Sequence, residues 1–154
     1  MKQIATIGYE GASVPRFLDA LREGKIELLV DVRAVASSRR PGFAKTALAA
    51  NLASVGIDYL HLRALGTPAD GRAAARAGNT AEMQRIFREQ LATEEAQAQL
   101  AQVADLVRAG RTVCLLCFEA DAAHCHRAIV ADALAKLLPA RVVNLAPWPE
   151  DDED

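Results

Sequence analysis

The chain has 154 residues, is half apolar and one quarter charged, and carries a formal net charge of −2. That length buries a core without structural metal and favours one α/β domain over residues 1–146 followed by an acidic tail, 147–154, while the charge balance excludes the global basic field of a non-specific nucleic-acid binder. No run approaches about 18 consecutive apolar residues and the amino terminus reads as a strand instead of a signal peptide, so a cytoplasmic location with no membrane partner is expected.

In chain order, "QIATIGY" (3–9) predicts a buried strand. "SVPRFLDALREG" (13–24) predicts a helix capped by Ser13, with Pro15 in its first turn, Gly24 as its stop and Val14, Phe17, Leu18 and Leu21 on its apolar face. "IELLVDVR" (26–33) is aliphatic on both faces, as a parallel strand between two helical layers must be. The polar loop "AVASSRRPGF" leads to a short helix over 44–55 with Leu48, Leu52 and Val55 at helical spacing, stopped by Gly56, and to a strand at 57–62. "RALGTPADG" interrupts the pattern.

Residues 80–109 read as helical, opened by Asn79 with Glu82 three positions on, and the weak apolar spacing near Thr93 predicts a bend or two helices. "TVCLLCF" (112–118) predicts a fourth strand, 126–138 a helix and 141–146 a fifth strand. Strands alternating with helices at this spacing predict a three-layer α/β/α fold around a mostly parallel five-stranded sheet.

In such a sheet the loops leaving the carboxyl ends of the strands gather on one edge, where ligands bind. Here those loops are "GYEG", "DVRAVASSRRPGFAK", "HLRALG" and "CFEADAAHCHR", whereas the opposite edge carries plain turns such as "REGK" and "RAGR". The functional edge offers Arg33, Arg39, Arg40, Lys45, His61, Arg63, His126 and Arg127 against Glu10, Asp31, Glu119 and Asp121. This local cationic excess predicts an anionic partner, either a small molecule or the phosphate of a nucleotide or nucleic acid. Tyr9 and Phe43 lie in the same loops, placed either to stack on a base or to fill the core.

Taken together, "TIGYEG", "LVDVR", "SRRPGFAK", "GIDYLHLRALG" and a C-x-E followed by C-H-R resemble domain-of-unknown-function family 488 from Thr6 to about Leu138. The resemblance implies signature positions at Tyr9, Glu10, Asp31, Arg33, Arg39, Gly42, Phe43, His61, Gly66, Cys117, Glu119, Cys125, His126 and Arg127, and names no reaction.

Cys114, Cys117 and Cys125 suit a reduced compartment and a local chemical role. Cys114 and Cys117 stand three apart in a strand, so they face opposite sides of the sheet and are not a redox pair. Cys125, expected in the first helical turn beside His126 and Arg127, has the surroundings of a thiolate nucleophile, although a small buried core residue is the commoner reading of such a cysteine. Glu119 is the candidate general base or acid with His126 as its partner, Arg33 and Arg127 are the candidate anion clamp, and His61 is a secondary acid or orienting group. Cys117, His124, Cys125 and His126 are all zinc-ligand types, but consecutive residues diverge on a helix, and neither a metal nor an organic cofactor is expected.

The expectation is an enzyme, a hydrolase or group transferase acting on a phosphate-bearing nucleotide or nucleic acid. Tyr9, Glu10, Asp31, Arg33, Arg39, Phe43, Lys45, Gly66 and Arg127 are its expected substrate contacts. Two alternatives stand beside it. One is a thiol enzyme of the rhodanese or cysteine-phosphatase kind, although the nine residues between Cys117 and Arg127 contain no glycine and two acids, which disfavours an amide cradle for an anion. The other is a non-catalytic module that grips nucleic acid or protein.

Overall fold

The computed structural model describes residues 2–122 and 125–147; His124 and most of the acidic tail lie outside the described residues. Five strands, β1 (Lys2–Gly8), β2 (Leu28–Asp31), β3 (Asp58–His61), β4 (Val113–Cys117) and β5 (Ala140–Leu145), form one sheet in the order β3-β2-β4-β1-β5. All four strand pairings are parallel. The register aligns Gly8 with Cys117, and Asp31 with both His61 and Leu116, so these strands end almost in a row. Every loop after them therefore opens on the same edge.

Among the described residues six α-helices connect the strands: α1 (Val14–Glu23), α2 (Lys45–Ala53), α3 (Ala69–Arg76), α4 (Thr80–Leu91), α5 (Glu94–Arg108) and α6 (Arg127–Leu137). Side chains alternate across a strand, and here that alternation sorts two cores. Ile7, Leu29, Cys114 and Leu116 face Phe17, Leu21, Leu48 and Leu52 of α1 and α2. Ile4, Val30, Leu115 and Cys117 face Phe87, Leu100, Val103 and Val130 of α4, α5 and α6. Cys114 and Cys117 accordingly lie on opposite faces, as their spacing requires.

Local sequence explains most boundaries. Ser13 accepts a hydrogen bond from the Arg16 amide at the start of α1, Asn79 from Glu82 at α4, and Thr93 from Ala96 at α5, so of the bend or two helices expected near Thr93 the chain forms two capped helices. Helix α3 was not expected from "GTPADGRAAAR". Gly71 sits inside it, buried where a Cβ would come within 2.5 Å of Thr67 Cγ2 and 3.1 Å of Ile86 Cγ2. A residue read as a helix breaker instead lets α3 press against α4. Strand β2 is also shorter than its apolar run, because Arg33 turns back to bond Asp31.

Gly8, the last residue of β1, brings the functional edge together. A Cβ there would lie 1.7 Å from the Glu119 carbonyl oxygen and 2.9 Å from Arg127 Nη1. Substituting Gly8→Ala is expected to push the loop after β4 outward and destabilise the fold by about 1–3 kcal/mol, the usual range for overpacking. Urea unfolding measures this; an unchanged midpoint would contradict the contact.

Candidate functional site

Helix α1 follows β1 onto one face of the sheet, and α6 follows the adjacent β4 onto the other. The chain thus parts at the carboxyl ends of β1 and β4, the switch point where α/β sheets open a crevice. A pocket of about 560 Å³ occupies it, within the size range of small-ligand sites. Tyr9 and Glu10 come from the loop after β1, and residues 33–35 and 37–39 from the loop after β2. Cys117, Phe118, Glu119, Cys125 and His126 come from the segment after β4, and Thr67, Arg72, Arg76 and Met83 from the region of α3 and α4.

Arg33 and Arg127, the expected anion clamp, both have partners within the protein. Arg33 is buried and grips Asp31 with two hydrogen bonds, Nε to Oδ1 at 2.8 Å and Nη2 to Oδ2 at 2.7 Å, while its Nη1 donates to Tyr9 Oη and the Phe43 carbonyl. Burial opposes its charge, but the hydrogen bond and field of Asp31, then Tyr9, outweigh that and raise its pKa. The Tyr59 hydroxyl also donates to Asp31, so the carboxylate lies beneath the pocket wall and does not contact its space.

Arg127 is only 1 % exposed and lies behind the pocket floor. Its Nε donates to Thr6 Oγ1, its Nη1 to Cys117 Sγ at 3.1 Å and to the Glu119 carbonyl, and its Nη2 to the Ala120 carbonyl. Both guanidiniums are engaged by internal acceptors, Arg33 in the pocket wall and Arg127 behind the floor.

Other expected contacts are displaced as well. Lys45 opens α2 on the surface away from the pocket. Phe43 is 1 % exposed and stacks on the ring of Tyr9 at 4.5 Å between centroids, so it is core behind the wall. His61 uses Nε2 to hold the Arg33 carbonyl at 2.7 Å, and Gly66 packs where a Cβ would come within 2.1 Å of the Ala34 amide nitrogen; both shape the β2 loop without lining the cavity.

The residues that do face the pocket fall into a floor and a rim. On the floor Cys117 and Cys125 are joined by a disulfide. His126 Nε2 lies 2.7 Å from the Val32 carbonyl, which requires the hydrogen on Nε2 and leaves Nδ1 as an acceptor 3.7 Å from Cys125 Sγ. Burial, more than the nearby Arg127 charge, lowers the imidazole pKa to about 4. It is therefore neutral near pH 7 and does not serve as the protonated partner of Glu119. The ligand-type atoms of Cys117, Cys125 and His126 lie within 4.8 Å of one another.

Glu119 is half-buried, with Oε1 3.8 Å from Cys117 Sγ. Burial first and the Glu10 charge second push its pKa upward, opposed by a backbone hydrogen bond and Arg127. Glu10 in turn accepts a hydrogen bond from the Ala120 amide.

At the rim stand Arg39, Arg72 and Arg76, with the exposed apolar side chains of Val35 and Phe118. Among the described residues no carboxylate forms an ion pair with any of these three arginines. Arg72 donates once, to the Thr67 carbonyl. Arg72, Arg76 and Phe118 were missed in the sequence. The arginines sit one helical turn apart on α3, a helix hidden by Gly66, Pro68 and Gly71, and Phe118 reads as the end of a strand.

A family model described as Domain of unknown function DUF488 matches residues 13–134. No curated protein and no solved structure matches the chain.

Two pH effects of opposite sign follow. His126 titrates near 6.5 when unfolded and near 4 when folded, so its contribution to stability is complete above about 6.5 and is lost as pH falls towards 4, amounting to roughly 3 kcal/mol. His126→Gln should flatten this acid limb in chemical denaturation. Glu119 is raised instead, so it favours the fold while protonated and that contribution is lost as pH rises through its folded pKa. Glu119→Gln should melt higher than the parent at pH 8 and at the same temperature at pH 4; a constant difference at both pH values would contradict the assigned burial.

Proposed function

The chain belongs to the DUF488 family, and since that description names no activity we propose a function from the pocket itself: an enzyme, a hydrolase or group transferase, acting on a phosphate-bearing nucleotide or nucleic-acid end. The observation that carries the reading is the rim, where Arg39, Arg72 and Arg76 have no paired carboxylate among the described residues and stand beside the exposed ring of Phe118. Guanidinium groups supply forked donors for phosphate, and an aromatic face supplies a stacking surface for a base. The half-buried Glu119, whose pKa is raised, is suited to hold a proton for a leaving group or to take one from a nucleophile.

The division of labour differs from the one expected. Arg33 and Arg127 orient the walls, the rim arginines recognise the anion, and Glu119 acts on it. A non-catalytic binding module shares the rim but has no use for a half-buried carboxyl group with a raised pKa.

Thermal shift and calorimetry with inorganic phosphate, a nucleoside triphosphate and a short oligonucleotide test binding. Stabilisation by the nucleotide is expected, weakening with salt and by about fivefold for each of Arg39, Arg72 and Arg76 changed to alanine, equivalent to about 1 kcal/mol apiece. Glu119→Gln should retain binding and lose turnover by about 100-fold or more. Absence of binding by all three probes, or equal binding by the triple arginine variant, would sink the proposal; intact turnover in Glu119→Gln would leave only a binding module.

A further inference from the structure

Arg127 presents an electrostatic problem that the proposed phosphate chemistry does not use. Its guanidinium is 1 % exposed, and among the described residues no carboxylate forms an ion pair with it. Its partners are a hydroxyl, two carbonyls and the sulfur of Cys117 at 3.1 Å. A buried cation without a contacting counter-ion is costly. Of the groups it touches, Cys117 is the one that can become an anion, and does so when the disulfide to Cys125 is reduced.

Cys125 has its own acceptor and donor. The Arg127 backbone amide, in the first turn of α6, lies 3.5 Å from Cys125 Sγ, and His126 Nδ1, an acceptor, lies 3.7 Å from it. Helix amino termini favour thiolates, and a neutral imidazole nitrogen accepts a thiol hydrogen. The surroundings of both sulfurs therefore favour the reduced pair, the condition that makes a disulfide a strong oxidant. Both cysteines, 1 % and 3 % exposed, line the pocket together with Arg39, Arg72 and Arg76.

We propose that Cys117 and Cys125 form a redox-exchange site whose substrates are small anionic thiols, or the disulfides derived from them, admitted through the arginine rim. This goes beyond the phosphate reading and requires only that the rim select anions. A substrate thiolate attacks Cys125 Sγ, the bond to Cys117 breaks, and Cys117 leaves as a thiolate paired with Arg127. A second substrate thiolate attacks the substrate sulfur of the mixed disulfide and releases Cys125, which takes a proton and donates it towards His126 Nδ1. Two substrate thiols lose two electrons and two protons to become a disulfide. The protein gains the electrons and one proton, and the other proton passes to solvent. Run backwards, the same steps reduce a substrate disulfide.

The test uses the full chain in its oxidised form. It is mixed with mercaptoacetate (anionic) or cysteamine (cationic) at equal thiolate concentration, quenched with acid, alkylated and read by mass spectrometry at each cysteine. Mercaptoacetate is expected to reduce Cys117–Cys125 at least tenfold faster than cysteamine, with Cys114 unmodified until the protein unfolds. The surface variant Arg72→Ala with Arg76→Ala should erase that preference while leaving the fold intact. In glutathione redox buffers, Arg127→Met should make the disulfide at least tenfold harder to reduce, with Arg127→Lys restoring part of the loss. Should Arg127→Met not fold, the charge preference of the parent and of the rim variant decides alone.

Equal rates for the two thiols, no exchange in the folded protein, or stoichiometric zinc held by the reduced cysteines would each overturn the site. Those results leave the nucleotide-binding experiment untouched. Loss of nucleotide binding, conversely, leaves thiol exchange standing.

Discussion

The functional edge depends on the burial of Arg127. Its guanidinium reaches from the first residue of α6 back to Thr6 in β1, and on the way it holds Cys117 at the end of β4 and the carbonyls of Glu119 and Ala120. One side chain therefore ties β1, β4, the loop after β4 and α6 together at the switch point. Gly8 is the steric condition for this arrangement, because any side chain there would occupy the place of the Glu119 carbonyl. A charge buried this deeply is retained only where its donors are satisfied, and that requirement sets the path of the loop.

A second buried arginine does the same for the adjoining wall. Arg33 joins Asp31, Tyr9 and the Phe43 carbonyl, while the Tyr9 ring stacks on Phe43 and meets Phe118 edge-on at 5.4 Å. Breaking such a pair by removing one partner leaves the other charge buried and costs about 3–5 kcal/mol. Loss of activity in an Arg33 or Asp31 variant would for this reason report the integrity of the wall before it reported ligand contact. The arginines of the pocket rim, on α3 and the β2 loop, have no ion pair among the described residues.

The floor combines groups whose protonation is governed mainly by desolvation. His126 is kept neutral and pinned to Val32, and Glu119 is shifted towards its protonated form. Cys114, on the other face of the sheet, is buried, and its thiol pKa is raised by that burial, so it is inert. Of three cysteines crowded into twelve residues, strand alternation sends one into the α1 and α2 core and leaves two at the pocket.

The sequence by itself determined the order of elements, the parallel sheet and the edge on which the site lies. These follow from periodicity, caps and chain direction, which are local properties. It also singled out Cys117, Glu119, Cys125 and His126, because a strand end and a helix start necessarily meet at that edge. Which arginines are engaged inside the protein and which stand at the pocket rim without an ion pair among the described residues was decided only by tertiary structure. Arg33 and Arg127 look like ideal clamps in a one-dimensional reading, yet their charges are consumed by Asp31 and by carbonyls and a sulfur brought from distant strands. The pairing of Cys117 with Cys125 and the arginine rim on α3 were hidden for the same physical reason. Each is set by the close approach of segments whose local patterns carry no record of what they will touch.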